Sequence, residues 1–191
     1  MTDEYYHASH DRLEIGRVLD QSRLRPNQFE WQWEMVRSAL GEPEPRNLAV
    51  LKALLLTDIF IGEGKKQVLP FVLKEVLLEH VRAREFADRP GRLDSTFLSP
   101  SLEDAQRFRE MTRQTDDRPY LYFCSVSDGV PIFRADVSYL GSVDPLALID
   151  EQLNELRRLA RAYWQGDESA NPCIELLVPL GTVSITAQTD W

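Results

Sequence analysis

The sequence predicts a mixed α+β fold in one domain spanning residues 1–191, and three observations carry that reading. Apolar residues recur at helical spacing in long blocks, shorter segments alternate or run apolar throughout as strands do, and the two kinds of segment are interleaved along the chain. A length of 191 residues with 43% hydrophobic content is enough to enclose one core of ordinary size. The order of segments places a helical insertion after the first strand, ahead of the remaining strands.

Taken in order, Tyr5 to Ser9 reads as the first strand, and a mostly helical block follows from about Pro26 to Phe86. Phe29, Trp33, Val36 and Leu40 fall on one helical face, with a polar loop at Gly41-Glu-Pro-Glu-Pro45. Leu69 to Phe86 is helical by length more than by clean amphipathicity, with Lys74 contributing its methylene stem to the apolar side. After Pro90-Gly91, Leu93 to Leu98 reads as a strand, and Ser101-Leu-Glu-Asp104 resembles a capping box opening a helix through about Thr112. Tyr120 to Val126 and Pro131 to Asp136 flank a Ser-Asp-Gly turn and read as a pair of strands. A helix follows from Pro145 to about Trp164, with Leu146, Ile149, Leu153, Leu156 and Ala160 on one face. A loop at Gly166 to Asn171 leads to two final strands, Ile174 to Val178 and Thr182 to Ala187, on either side of Pro179-Leu-Gly181.

Composition excludes several classes of function. A formal net charge of -9 argues against charge-driven capture of nucleic acid or anionic lipid. Acids stand at the start of the chain where a secretory signal would carry Lys or Arg, so a cytoplasmic location is expected. The apolar run Leu48 to Ile61 is interrupted by Lys52 and Asp58 and is too short to cross a bilayer, so no membrane span is expected. Cys124 and Cys173 sit in apolar strand-like segments, which fits buried reduced thiols better than a disulfide. His7, His10 and His80 have no spacing that gathers them on one metal, Gly62-Glu-Gly64-Lys65 lacks full phosphate-loop spacing, and Trp31 and Trp33 amid acids read as helix packing.

Three distant segments carry the functional reading: Tyr5-Tyr-His7-Ala-Ser9, Leu93-Asp-Ser-Thr-Phe97-Leu-Ser-Pro-Ser-Leu-Glu-Asp-Ala105, and Cys173-Ile-Glu175-Leu-Leu-Val-Pro-Leu-Gly-Thr182. In these segments the chain resembles the ADP-ribosyltransferase superfamily, the fold of diphtheria toxin and the poly-ADP-ribose polymerases. The resemblance implies a split, mixed or antiparallel β-sheet core and NAD as the substrate. It also implies roles: His7 on the ribose hydroxyls, Phe97 stacked on nicotinamide, and Glu175 on the nicotinamide ribose. Phe97 stands where the family carries Tyr, and Cys173 stands where many toxins that modify side chains carry Gln or Glu, which leaves the acceptor of ADP-ribose open. Ser95-Thr96 is similar to the Ser-Thr-Ser strand of another branch, in which Ser95 would assist Glu175. The chain also resembles an uncharacterised bacterial family in Glu79 to Arg82, Arg92 to Phe97 and Arg134 to Asp136.

The chemistry that would need these residues is scission of the nicotinamide glycosidic bond. Positive charge develops on the ribose, and a fixed carboxylate bonded to a sugar hydroxyl strengthens as that charge grows. Glu175 is the expected catalytic carboxylate, with His7 beside it. Phe97 offers an aromatic face to a planar cationic ring. Asp136 is the rival carboxylate for a small-molecule-modifying enzyme, Arg92 either contacts cofactor phosphates or pairs with Asp94 at the surface, and Ser9 supports ribose or amide contacts. Two alternatives stay open: a non-catalytic interaction module on the same fold, and an NAD glycohydrolase that uses water.

Overall fold

The computed structural model describes residues 4–9, 11–20, 68–112, 120–140 and 150–191, which form an α+β arrangement of two small antiparallel sheets and three helices. The chain runs β1 (Tyr5–Ser9), α1 (Val68–Glu85), β2 (Ser95–Leu98), α2 (Leu102–Thr112), β3 (Tyr120–Val126), β4 (Phe133–Asp136), α3 (Asp150–Gln165), β5 (Ile174–Pro179) and β6 (Val183–Thr189). The expected helix face of Phe29, Trp33, Val36 and Leu40, the run Leu48 to Ile61, the segments around Trp31, Gly41 to Pro45 and Gly62 to Lys65, and His10, Leu146 and Ile149 lie outside the described residues, as does the Leu153 side chain.

One sheet has the order β1-β3-β6 and the other β2-β5-β4, all antiparallel. They meet where Tyr6 and Ser99 exchange both backbone hydrogen bonds, at 2.9 and 2.8 Å. The expected pairing of Tyr120–Val126 with the next strand is corrected. Both edges of β3 are filled, by β1 and β6, so β4 has no edge to join there and pairs with β5 instead. Gly129, at φ +74, turns the chain between the two sheets. β5 is likewise central, between β2 and β4, and after Gly181 at φ +78 the chain crosses to β3. The strand expected from Leu93 begins only at Ser95. Arg92–Asp94 is a 3-10 turn, in which the Asp94 amide and the Ser95 hydroxyl both donate to the Gly91 carbonyl, at 3.2 and 2.7 Å.

Because successive strand residues face opposite ways, β5 divides its side chains between two cores. Ile174, Leu176 and Val178 join Leu98, Tyr122, Cys124, Val183 and Ile185 in a core shared by the two sheets. Cys173 and Leu177 face the other way, with Phe133, Ala135, Tyr163 and Trp164, under α1 and α3. Both faces of β5 are covered, which is why it reads as an almost unbroken apolar run. Trp164 locks the helices together, its indole N–H donating to the Leu78 carbonyl at 2.9 Å while its ring stacks on Phe133. Burying a side chain such as Leu77 or Leu78 contributes about 1.5–3 kcal/mol each.

The start of α2 is capped as expected: the Ser101 hydroxyl accepts from the Asp104 amide at 3.0 Å. Asp104 differs from a reciprocal capping box. One of its oxygens accepts from the Ser101 hydroxyl and the other from the Ile174 amide at 2.9 Å, so the cap also ties α2 to the entry of β5. No helix among the described residues is long and apolar enough to cross a membrane. Both cysteines are free and buried.

Candidate functional site

Glu175 sits one strand position below Leu176, opposite Ala135 of β4, and therefore on the helix-covered face of β5. It is 4% exposed. A carboxylate there must find compensating partners, because an isolated buried charge costs several kcal/mol. Arg92 supplies one: its Nη1 donates to Glu175 Oε1. Tyr163 of α3 supplies the second, its hydroxyl donating to the same oxygen at 2.6 Å. Arg92 Nη1 also donates to the Tyr163 oxygen at 2.5 Å, closing a triangle of donors and acceptors.

The other edge of the guanidinium turns to α1. Arg92 Nε donates to Glu75 Oε2 at 2.8 Å and Nη2 reaches Glu75 Oε1 at 3.4 Å. Its Cζ lies 4.7 Å from the centre of the Phe97 ring and 5.3 Å from that of Tyr163. Burial by itself would lower the Arg92 pKa, but the carboxylates of Glu175 and Glu75 outweigh it and hold the guanidinium well above its ordinary value. Burial, opposed by Arg92 and aided by Glu175, pushes the Tyr163 hydroxyl well above the usual phenol value, so it stays a proton donor. Lys74, next along α1, donates to the Leu140 carbonyl at 2.9 Å, and burial lowers its pKa.

The structure brings together three of the residues expected from sequence: Arg92, Phe97 and Glu175. His7 joins them at one remove, with Nδ1 3.1 Å from the Phe97 carbonyl oxygen. Its partner across β1 and β3 is Tyr122, which belongs to the core between the sheets, whereas Glu175 faces the helices. Ser9, Ser95 and Asp136 lie apart. The Ser9 hydroxyl accepts from the Asp11 amide at 3.2 Å. Ser95 is opposite Pro179, at the far end of β5 from Glu175, and its hydroxyl is committed to Gly91.

Asp136 is fully buried, and its oxygens are taken by backbone amides. Oδ1 accepts from Ser138 and Cys173, both at 2.9 Å, and Oδ2 from Ser169 at 2.8 Å. Burial would raise its pKa, but the hydrogen bonds from Ser169, Cys173 and Ser138 hold it below the ordinary carboxylate value. This carboxylate anchors the loop that leads into β5. Arg92 is not a surface partner of Asp94: its side chain is 11% exposed and its carboxylates are Glu75 and Glu175. The two thiols are pushed up to about 12 by burial, which makes them poor nucleophiles.

Sequence reading missed Glu75 and Tyr163. Glu75 had a usable signal, since Lys74 and Glu75 are the charges inside the apolar stretch Val68 to Leu78. Tyr163 had none, because its register in α3 reads as ordinary packing beside Trp164. Among the described residues no group of three or more His, Cys, Asp or Glu side chains is placed to hold a metal ion.

The family model of a protein of unknown function (DUF2441) matches residues 47–190. The chain belongs to that family. The match to DUF2441 spans most of the chain and takes in α1 to β6, including every member of the Arg92 cluster. No curated protein matches the chain.

Proposed function

We propose that this DUF2441 protein binds NAD, cleaves the bond between nicotinamide and ribose, and transfers ADP-ribose to an acceptor. The observation that carries the reading is the convergence of Arg92, Phe97 and Glu175, brought from a turn, β2 and β5 into direct contact, with His7 hydrogen-bonded to the Phe97 backbone. The resemblance stated above implies a split sheet and a helical segment after the first strand. Two three-stranded sheets meeting at Tyr6 and Ser99, with α1 between β1 and β2, are consistent with it.

In this reading Glu175 is the carboxylate that bonds a ribose hydroxyl as positive charge grows on the sugar. Glu75 and Glu175 bracket a single Arg92, each paired with a different part of its guanidinium. Phe97 supplies an aromatic surface, and His7 fixes β1 against the strand that carries it. The acceptor class is a protein side chain, a nucleic acid or a small molecule, and water in its place would make the protein a glycohydrolase.

The test pairs binding with turnover. Titration calorimetry with NAD should give saturable heat, and nicotinamide should accumulate with the wild-type chain. Glu175→Gln should abolish nicotinamide release while circular dichroism shows the fold intact. Absence of binding at millimolar NAD overturns the proposal.

A second reading has a specific observation behind it. Arg92, Glu75, Glu175 and Tyr163 are hydrogen-bonded to one another beneath two helices, as members of a purely structural network would be. On that account the protein is a non-catalytic interaction module, and Glu175→Gln changes stability alone.

A further inference from the structure

We propose that Tyr163 and Arg92 are positioning residues that clamp one oxygen of Glu175 so that the other is the one presented to substrate; this rests on the NAD reading above. Both donors converge on Oε1: the Tyr163 hydroxyl at 2.6 Å and Arg92 Nη1. The described residues give Oε2 no hydrogen bond. A carboxylate held through one oxygen cannot rotate about its terminal torsion without breaking two charge-assisted hydrogen bonds. The second oxygen therefore has a fixed direction, the preorganisation that makes an electrostatic stabiliser effective.

The clamp is itself braced. Glu75 grips Arg92 through Nε and Nη2, leaving Nη1 for Glu175 and Tyr163. Phe97 packs against the guanidinium, its ring centre 4.7 Å from Cζ. Tyr163 is fixed by ring contacts, edge-on to Trp164 at 4.9 Å and to Phe133 at 6.3 Å between centroids. Every element of the clamp thus comes from a helix, a strand or the 3-10 turn that joins them: α1, the turn before β2, β2 itself and α3.

Tyr163→Phe tests the clamp, because it deletes the hydroxyl and keeps the ring that packs on Trp164. Steady-state nicotinamide release should lose about tenfold in kcat with KM for NAD within about twofold, the signature of an interaction expressed in the transition state. Glu75→Gln, which loosens Arg92 without touching Glu175, should show a smaller loss with the same split, and it decides the matter should Tyr163→Phe fold poorly. Unchanged kcat, or a raised KM with kcat preserved, overturns the clamp while leaving the NAD reading intact. A wild-type chain that releases no nicotinamide overturns that reading, and the clamp with it.

Discussion

Replacing Arg92 with Met should be among the most damaging single substitutions in the described part of the fold, and the reason can be followed from the structure. Met keeps much of the stem's volume but removes the only cation hydrogen-bonded to both Glu75 and Glu175 among the described residues, whose side chains are 3% and 5% exposed. Breaking one buried ion pair by deleting a partner costs about 3–5 kcal/mol, because the remaining charge is left in a poorly solvating interior. Two carboxylates are orphaned here, and the contact over Phe97, worth about 0.5–2 kcal/mol, is lost with them. Protonation of the orphaned acids and retention of the Tyr163 bond to Glu175 offset part of this. The expected net loss is about 4 kcal/mol at neutral pH, a large fraction of the roughly 5–15 kcal/mol that holds a domain folded. Urea unfolding followed by tryptophan fluorescence and by circular dichroism measures it, provided the two transitions coincide. Combining Arg92→Met with Glu75→Gln should recover at least about 1 kcal/mol relative to additivity, since the second change removes one orphaned charge. A loss below about 1 kcal/mol, in the range of an exposed ion pair, would refute the argument that the cluster is a buried and interdependent unit.

Asp136→Asn should destabilise the protein by about 1–3 kcal/mol, because an amide cannot accept from all three backbone donors that the carboxylate serves. The pH dependence has a definite sign. The native pKa of Asp136 is depressed, so its stabilisation is fully present above the unfolded value of about 3.8 and is lost as pH falls from there through the native value. Thermal melts on the acid side should slope less steeply for the Asn variant, and an unchanged slope contradicts the assignment. Cys124 and Cys173, with pKa values pushed up to about 12, should resist alkylation in the native state and both react in urea. Rapid labelling of the native protein, read by mass spectrometry, contradicts that.

Local signals made several elements legible. The strand Tyr5–Ser9 follows from period counting, and the capped start of α2 at Ser101 from a hydroxyl three residues ahead of an acid. Strand partners were not legible. Tyr120–Val126 and Phe133–Asp136 look like a hairpin because a Ser-Asp-Gly turn separates them, yet pairing depends on which strand edges are already occupied, and that is a property of the assembled sheets. Arg92 shows the same limit at the level of a side chain. Its neighbour Asp94 offers a surface partner, whereas its actual partners come from 17 residues before and 83 residues after it.

Alone, the amino-acid order determined that this chain builds an α+β fold, that its two cysteines sit in apolar strand-like segments, and that Glu175 stands in an apolar run where a carboxylate needs a reason. Periodicity and turn chemistry act over a few residues, so they can be read without coordinates. Tertiary structure decided the rest: that β5 is covered on both faces, that Glu175 shares Arg92 with Glu75, and that Asp136 serves a loop. Burial and long-range ion pairing depend on which faces meet after the chain has folded, and no window of sequence contains that information.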